Sequence, residues 1–265
     1  MRDLSSLMDM TGRRVLITGG AGHLGRTMAD SLAELGAEVL LVDVAGAPTQ
    51  VVADEIAERR GTTVTALDCD LEDADARTAL AGRVAPSGLS VLVNNAAFVG
   101  TSGLTGWAEP FAGQSVETWR RALEVNLTAG FHLCQLFTPV LKDGPGGSII
   151  NIASIYGQLG PDYVLYEGTA MANPAAYGAS KGGLIQFTRW LSTTLAPQVR
   201  ANVISPGGVA RGQPESFVER YSARTPLRRM ATEEDFRGAV AYLASDLSAY
   251  VTGQVLAVDG GWGVW

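Results

Sequence analysis

The sequence predicts an α/β fold in which a parallel sheet is covered by helices on both faces. Short β-branched runs alternate with segments of helical spacing, and this alternation implies parallel strands joined by helices. A hydrophobic fraction of 46% together with 32 glycines fits a buried sheet with many tight turns. At 265 residues, the chain is expected to form one large domain, with residues 1–11 as an N-terminal extension.

Composition argues against several classes of function. The net charge of −7 disfavours a nucleic-acid-binding surface, because phosphate backbones need clustered Lys and Arg. No run approaches the roughly 20 apolar residues that span a bilayer, and the polar start lacks the apolar core of a signal peptide. We therefore expect a cytoplasmic protein that binds neither nucleic acid nor membrane. With two histidines and two cysteines in no paired spacing, no metal site is expected.

The first strand and helix are joined by a glycine-rich turn. A β-branched run at 14–18 breaks into Gly19–Gly25, and helical spacing then continues over 24–35. Glycines in the turn let the backbone approach a pyrophosphate, which the unpaired amides of a helix N-terminus attract. By itself such a turn is a weak signal, because many α/β proteins use one only to reverse the chain. The turn residues expected to bind a dinucleotide are Gly19, Gly22, His23, Leu24 and Gly25.

The second strand, 38–43, ends in Asp43. A carboxylate there can accept hydrogen bonds from the adenosine ribose hydroxyls and would repel a 2′-phosphate. Residues 44–47 offer no arginine or lysine for such a phosphate. We therefore expect NAD as the cofactor, with NADP disfavoured. The alternative is that Asp43 is only a solvated strand end.

Strands and helices continue to alternate up to the C terminus. Strands are expected at 62–67 and 90–93, in an apolar run that ends at 151–154, and at 199–205 and 254–258. Helices are expected at 50–60, 73–84, 116–141 and 233–244, and from 175 to a stop at Pro197. Asp70, just past the third strand, is placed to meet an adenine ring. Asn94–Ala97 follows the fourth strand, where ligands gather in such sheets, although an Asn-rich turn is also ordinary by itself.

Asn126 lies within the helix predicted over 116–141. A buried asparagine among apolar neighbours needs hydrogen-bond partners or a kink. We expect it to open the helix locally and to hold a water. The preceding loop, 98–115, is long enough to be functional or mobile.

The clearest chemical signal lies between Ser148 and Lys181. Tyr177 and Lys181 are four residues apart on a predicted helix and therefore share one face. A cation near a phenol lowers the phenol's pKa from about 10. Ser154, at the end of the preceding strand, is placed to bring a hydroxyl beside that phenol. These three side chains suit proton transfer at an alcohol or carbonyl oxygen.

Several motifs, taken in their order and spacing, resemble the short-chain dehydrogenase/reductase family over nearly the whole chain. They are Thr18-Gly19 with its glycine turn, Asn94-Asn95-Ala96-Ala97, Asn126, Ser154, Tyr177 with Lys181, Pro206-Gly207 and Val258-Asp259-Gly260-Gly261. The resemblance implies a Rossmann-type, three-layer fold with a doubly wound sheet of about seven strands. It also implies hydride transfer with a nicotinamide cofactor. Homo-oligomers are implied too, tetramers rather than dimers, with the C-terminal strand and tail at an interface.

The resemblance assigns a role to each catalytic candidate. Tyr177 exchanges a proton with the substrate oxygen, and Ser154 holds and polarises that oxygen. Lys181 lowers the pKa of Tyr177 and binds the nicotinamide ribose, and Asn126 fixes a water in a proton relay. Further residues implied to bind the cofactor are Asp70, Leu71, Asn95, Ala96, Ala97, Pro206, Gly207 and Val209. Residues implied to contact the substrate are Ser154, Tyr156, Tyr177, Gly208 and Arg211.

Three features depart from the family pattern. His23 stands where the common turn has glycine. The interval between Ser154 and Tyr177 is about ten residues longer than usual, so residues 155–176 are expected to form an extra flap over the pocket. Arg211 stands where a threonine commonly meets the nicotinamide carboxamide.

A second segment, 210–230, usually closes over the substrate in this family, and we call it the covering segment. It contains arginines, which suit a carboxylate or phosphate, but acidic residues alternate with them as in an ordinary solvated helix. The polar candidates for an anionic substrate are Arg211, Gln213, Arg220 and Arg224.

We expect an NAD-dependent enzyme that interconverts a secondary alcohol and a ketone in a small polar, carbohydrate-derived or anionic molecule. The alternative within enzymes is a 3-oxoacyl thioester reductase. The alternative outside enzymes is a non-catalytic nucleotide sensor or scaffold. Such proteins commonly lose the tyrosine or the lysine, whereas this chain retains Tyr177 and Lys181.

Overall fold

A parallel seven-stranded sheet is the centre of the fold. The computed structural model describes residues 1–99, 102–144 and 146–265. The strands are β1 (Arg14–Thr18), β2 (Glu38–Asp43), β3 (Val64–Asp68), β4 (Val91–Asn94), β5 (Gly147–Ile152), β6 (Val199–Pro206) and β7 (Val255–Val258). They lie in the order β3-β2-β1-β4-β5-β6-β7. The predicted doubly wound α/β fold is confirmed.

Helices cover both faces of the sheet. They are α1 (Leu4–Met8), α2 (His23–Glu34), α3 (Thr49–Arg60), α4 (Ala74–Val84), α5 (Val116–Leu123), α6 (Ala129–Asp143), α7 (Ala175–Leu195), α8 (Glu215–Arg224) and α9 (Arg237–Ala244). Successive strand residues point to opposite faces. In β1, Ile17 packs in the cluster formed with α2, α3 and α9, whereas Leu16 packs in the cluster formed with α4, α6 and α7. Because both faces are buried, the strands are apolar runs without alternation.

The strand order reverses between β1 and β4. The chain leaves β1 towards β2 on one side, whereas β4 leads towards β5 on the other. In open parallel sheets such a reversal leaves a crevice at the carboxyl ends of the strands, and ligands bind there. The sheet therefore places the turn after β1 beside the residues that follow β4.

The structure adds detail to two predicted segments. Residues 1–11, the predicted N-terminal extension, contain α1 and the fully buried Met10. The helix predicted over 116–141 is divided into α5 and α6 by a π-helical turn at Glu124–Thr128. Asn126 lies in that turn, so the predicted local opening of the helix is confirmed.

The flap and the covering segment pack against each other. The flap contains short 3₁₀ turns at Ile155–Gly157 and Tyr163–Tyr166, and the covering segment contains α8. Phe217 and Tyr221 of α8 are buried in a cluster with Leu165 of the flap and Trp262 near the C terminus. The rings of Tyr221 and Trp262 are stacked with centroids 4.4 Å apart. The helix that the alternating charges suggested is present, but one side of it is buried.

Among the described residues, no helix combines the length and apolar character needed to cross a membrane.

Candidate active site

The glycine turn after β1 is packed too closely for side chains at two positions. Gly19 has a φ of +63°, and a Cβ there would lie 2.9 Å from the Cα of Ala96. A Cβ on Gly25 would lie only 2.1 Å from the carbonyl oxygen of Gly19. Since non-bonded atoms do not approach so closely, the start of α2 can pack on the turn only with glycine at position 25. The turn is thereby drawn against the residues that follow β4.

Asn95 fixes this contact. Its side-chain amide donates to the carbonyl oxygens of Thr18 at 2.9 Å and Gly19 at 3.1 Å. The hydroxyl of Thr18 accepts from the backbone amides of Asn95 at 3.0 Å and Ala96 at 3.1 Å. The predicted cofactor residues on either side of the crevice are thus brought together by direct hydrogen bonds. Ala97 follows them and is half-buried.

The start of α2 carries no side-chain cap. Gly22 is the N-cap residue, and the helix begins at His23. The first amides of a helix have no intrahelical acceptor, so this end can bind an anion through those amides and the helix dipole. Gly22, His23, Leu24 and Gly25 lie where the sequence predicted a pyrophosphate contact. His23 itself is 70% exposed.

Asp43 lies at the tip of β2 and faces the glycine turn. One carboxylate oxygen accepts from the amide of Ala21 at 3.0 Å, and the other accepts from the amide of Val44 at 2.9 Å. These bonds hold the carboxylate at the strand end and leave lone pairs on both oxygens for a second donor. Asp43 is therefore more than a solvated strand end.

The remaining predicted cofactor residues surround the same crevice. Asp70 follows β3, is exposed and accepts from the amide of Glu72 at 2.9 Å, whereas Leu71 is buried. On the opposite side, the amide of Gly207 donates to the carbonyl of Val258 at 3.0 Å. Val209 pairs with Ala231. Pro206 is the last residue of β6, so these residues lie at the carboxyl end of the sheet as predicted.

Lys181 joins α7 to the end of β5. Its side chain is almost fully buried, and Nζ donates to the carbonyl oxygen of Ile152 at 2.7 Å. Nζ lies 5.8 Å from the centroid of the Tyr177 ring, one helical turn earlier. Ser154 follows two residues after Ile152, and its hydroxyl lies close enough to Tyr177 to lower the pKa of the phenol. The three predicted catalytic side chains therefore meet at one place.

Burial controls the pKa values of this group. It lowers the pKa of Lys181 to about 8 and raises the pKa of Tyr177. The nearby hydroxyl of Ser154 and the positive charge of Arg211 oppose the rise at Tyr177. In the chain by itself the pKa of Tyr177 is raised, and the expected lowering by Lys181 stays a prediction. Desolvation of the phenol outweighs the favourable partners.

Asn126 uses its side chain to hold the loop after β4. Its Oδ1 accepts from the amide of Phe98 at 2.7 Å, and its Nδ2 donates to the carbonyl of Phe98 at 3.1 Å and to Ser180 at 3.2 Å. Both amide hydrogens are thus in use, and only a lone pair on Oδ1 remains for a water. The predicted role in a proton relay stays a prediction.

The arginines of the covering segment have different environments. Arg220 donates to three carbonyl oxygens of the flap, those of Val164, Leu165 and Glu167. Arg224 pairs with Asp162 and stacks over Trp262 at 4.6 Å. These contacts bind the flap to α8, and the interpretation of the two arginines as candidates for substrate contacts stays a prediction. Gln213 is also engaged, since its amide donates to the carbonyl of Val209 at 2.7 Å.

Arg211 lies within the electrostatic reach of Tyr177. Its Nε donates to Oε1 of Glu233 at 3.1 Å. Gly208, another predicted substrate contact, donates its amide to the hydroxyl of Tyr221 at 2.5 Å. A Cβ at position 208 would meet the Tyr221 ring at 2.8 Å, so the covering segment packs directly on this turn.

Tyr156, a predicted substrate contact, belongs to a polar group in the flap whose other members the sequence did not single out. The hydroxyls of Tyr156 and Tyr166 are 2.8 Å apart, and the side chain of buried Asn173 lies close enough to lower the pKa of each. Tyr166 also lies near enough to Tyr177 to contribute to the rise in its pKa. The irregular composition of the flap carries no periodic signal by which these partners could be found.

Among the described residues, no group of three or more His, Cys, Asp or Glu side chains is placed to hold a metal ion.

Comparison with known proteins shows the family. Residues 19–263 match the family model described as enoyl-(acyl carrier protein) reductase. The chain belongs to the short-chain dehydrogenase/reductase family. A relative from Rhizobium meliloti (strain 1021), named as a galactose dehydrogenase, is 33% identical, and the match covers 97% of each chain. A 3-oxoacyl-[acyl-carrier-protein] reductase from Aquifex aeolicus is 30% identical, over 95% of this chain and 98% of the other.

A solved structure of the same family has closely similar geometry. It comes from Beutenbergia cavernae and is titled as an NAD(P)-dependent gluconate 5-dehydrogenase with bound NADP at low occupancy. It is 33% identical, with a TM-score of 0.86, and the match covers 98% of this chain and 100% of the other. These relatives support an oxidoreductase.

The crevice of this short-chain dehydrogenase/reductase fits a dinucleotide. The glycine turn leaves room for a backbone-to-phosphate approach, and the uncapped α2 offers free amides. The buried Lys181 ammonium has three hydrogens, of which one is given to Ile152. The other two are available to ribose hydroxyls.

Replacing Gly25 with alanine tests the glycine turn. The added Cβ would collide with the carbonyl of Gly19, so the turn must open. We expect the Kd for NAD, measured by calorimetric titration, to rise about tenfold to a hundredfold. Gly82→Ala is the matched control, because no atom lies within 4 Å of its added Cβ. An unchanged Kd in Gly25→Ala would contradict the packing described here.

Proposed function

We propose that this protein is an NAD-dependent oxidoreductase that interconverts a secondary alcohol and a ketone on a small, polar, carbohydrate-derived or anionic molecule. The observation that carries the proposal is the meeting of Ser154, Tyr177 and Lys181 at the carboxyl end of β5. This group lies at the same edge of the sheet as the glycine turn and Asp43. Proton-transfer groups and a dinucleotide crevice together suit hydride chemistry at a carbinol.

Tyr177 is the general acid and base of the proposed reaction. When an alcohol is oxidised, its phenolate takes the hydroxyl proton, and when a ketone is reduced, the phenol returns a proton to the oxygen. The hydroxyl of Ser154 supports the anionic form of Tyr177, because its proximity lowers the pKa. Lys181, with a pKa of about 8, is mostly protonated at neutral pH and adds positive charge nearby. The bound nicotinamide would accept or supply the hydride.

A polar substrate is supported by polar side chains of the flap and the covering segment around Tyr177. Tyr156, Tyr166 and Asn173 offer hydroxyl and amide groups from the flap, and Arg211 offers a positive charge. Such groups match the hydroxyls of sugar-derived compounds better than an alkyl chain. Two of the relatives are named for galactose and gluconate. The alternative, a 3-oxoacyl thioester reductase, is supported by the family model's description and by the Aquifex aeolicus relative.

Replacing Tyr177 with phenylalanine tests the proposed chemistry. We expect kcat to fall by about 10²–10⁴-fold, because the proton acceptor is removed. NADH formation is followed by absorbance with sugars, polyols and hydroxy acids, and NADH consumption with acyl thioesters. Tyr250→Phe is the control, since Tyr250 is fully exposed. Undiminished turnover in Tyr177→Phe would contradict the assignment of Tyr177 as the general acid and base. Turnover on acyl thioesters alone would favour the 3-oxoacyl thioester reductase.

Asp43 provides a test of cofactor choice. A carboxylate at this site attracts ribose hydroxyls and repels a 2′-phosphate, so NAD should raise the Tm more than NADP at equal concentration. In Asp43→Asn the difference between the Tm increases with NAD and with NADP should shrink or change sign, because the negative charge is lost. Asp54→Asn, an exposed acid on α3, is the control. Greater stabilisation of the unaltered protein by NADP would overturn the proposal of NAD.

We also propose a homo-oligomer, with a tetramer favoured. Phe131, Phe187 and Trp190 form an aromatic row across α6 and α7, with centroid distances of 5.7 Å and 6.4 Å. Phe131 is 46% exposed and Trp190 is 57% exposed, so association of copies would bury apolar area there. Trp190→Asp should lower the mass measured by sedimentation, whereas Phe111→Asp, an exposed aromatic elsewhere, should not. A mass of 27.8 kDa for the unaltered protein would contradict this proposal.

A further inference from the structure

His23 and Arg211, two residues that depart from the family pattern, both lie near the carboxylate of Glu233. Glu233 lies just before α9, far from both departures along the chain. Its Oε1 accepts from Nε of Arg211 at 3.1 Å and lies 3.8 Å from Nδ1 of His23. His23 begins α2, and Arg211 begins the covering segment. Glu233 therefore bridges the glycine turn and the segment that covers the pocket.

Arg211 is held on two sides. Its backbone amide donates to the side-chain oxygen of Gln213 at 2.6 Å, and Gln213 is in turn bonded to the carbonyl of Val209. Glu233 takes the Nε hydrogen of the guanidinium. In the part of the chain that the structure describes, the two terminal nitrogens of Arg211 make no hydrogen bond. The side chain of Arg211 is thus held in place and presents the two terminal nitrogens of its guanidinium, which we call the fork, as open donors.

The charge of this fork acts at the reaction centre. Arg211 contributes to the pKa of Tyr177, and in the direction that opposes burial. An anion bound to the fork would lie within a small molecule's length of the phenol that receives the substrate proton. Arginine binds carboxylates through two parallel hydrogen bonds, which fix orientation as well as distance.

The neighbouring arginines have other partners. Arg220 and Arg224 hold the flap, Arg228 donates to the carbonyl of Ala223, and Arg229 pairs with Asp235. Within the covering segment as described, Arg211 is the arginine whose charge acts on Tyr177. The diphosphate of a dinucleotide already has a binding place at the uncapped start of α2.

We propose that Arg211 binds the carboxylate of a polyhydroxy-acid substrate and that Glu233 is the positioning residue that aims it. This inference rests on the proposed function, since it names the substrate class of that site. The carboxylate would anchor one end of the substrate, so that a carbinol further along the chain reaches Ser154 and Tyr177. Glu233 would keep the guanidinium from turning into solvent.

The test compares two ligands that differ at one end. Gluconate and sorbitol have the same length and the same secondary hydroxyls, but gluconate ends in a carboxylate where sorbitol has a neutral alcohol. Binding of each to the protein with NADH is measured by calorimetry, which needs no turnover. We expect gluconate to bind about tenfold to a hundredfold more tightly than sorbitol, from charge-assisted hydrogen bonds. Equal affinities in the unaltered protein would overturn the proposal.

Variants assign the preference to residues. Arg211→Gln should bind gluconate and sorbitol equally, and Arg211→Lys should restore part of the preference, because the charge returns without the fork. Glu233→Gln should reduce the preference for gluconate, but should have no such effect when Arg211→Gln is also present. The control is Glu38→Gln, whose partner Arg14 makes an equivalent Nε contact of 2.8 Å at the opposite end of the sheet. If Glu233 had only a structural role, Glu233→Gln would lower the affinities for gluconate and for sorbitol by the same factor.

Two further outcomes separate this inference from other interpretations. If Arg211→Gln weakens NAD binding and leaves the preference for gluconate intact, the guanidinium holds the cofactor diphosphate, and the proposal is wrong. If gluconate is preferred through Arg211 but no sugar, polyol or hydroxy acid supports NAD reduction, the anion site stands and the proposed function fails.

Discussion

A single buried hydrogen bond orders the candidate active site of this protein. Nζ of Lys181 donates to the carbonyl of Ile152, and this bond joins the first turns of α7 to the end of β5. A buried ammonium without an acceptor would be strongly unfavourable, so the carbonyl is needed for the lysine to stay inside. The bond also fixes the spacing between Tyr177 on the helix and Ser154 after the strand. The chemistry of the site therefore depends on the same contact that closes the helix against the sheet.

Much of this arrangement could be predicted from the sequence. The glycine turn, Asp43 and the Tyr177 and Lys181 pair depend on local spacing, which a sequence displays directly. Asn126 was recognisable as a disturbance in a helix because an amide among apolar neighbours must find partners, and the π-helical turn is the result. Local strand and helix periodicity also sufficed for the sheet, whose strand order follows the family pattern.

Other features depend on contacts between distant segments, and local patterns do not carry them. Glu233 meets His23 and Arg211 although 210 and 22 residues separate them in the chain. Arg220 and Arg224 looked equivalent to Arg211 in the sequence, yet packing against the flap gave them structural partners. The raised pKa of Tyr177 has a similar origin. Spacing showed that a cation was near, but the extent of burial follows only from the assembled fold.

The aromatic cluster shared by the flap, α8 and Trp262 has an evolutionary consequence. Because these parts share one small core, a change in the flap alters the packing of α8 and of the chain's last residues at the same time. New substrate preferences would then arise by concerted repacking of that core rather than by exchange of a single loop. The contacts of Gly19, Gly25 and Asn95 that shape the glycine turn lie outside this core. Selection can therefore change the flap and α8 while the contacts of the glycine turn are preserved.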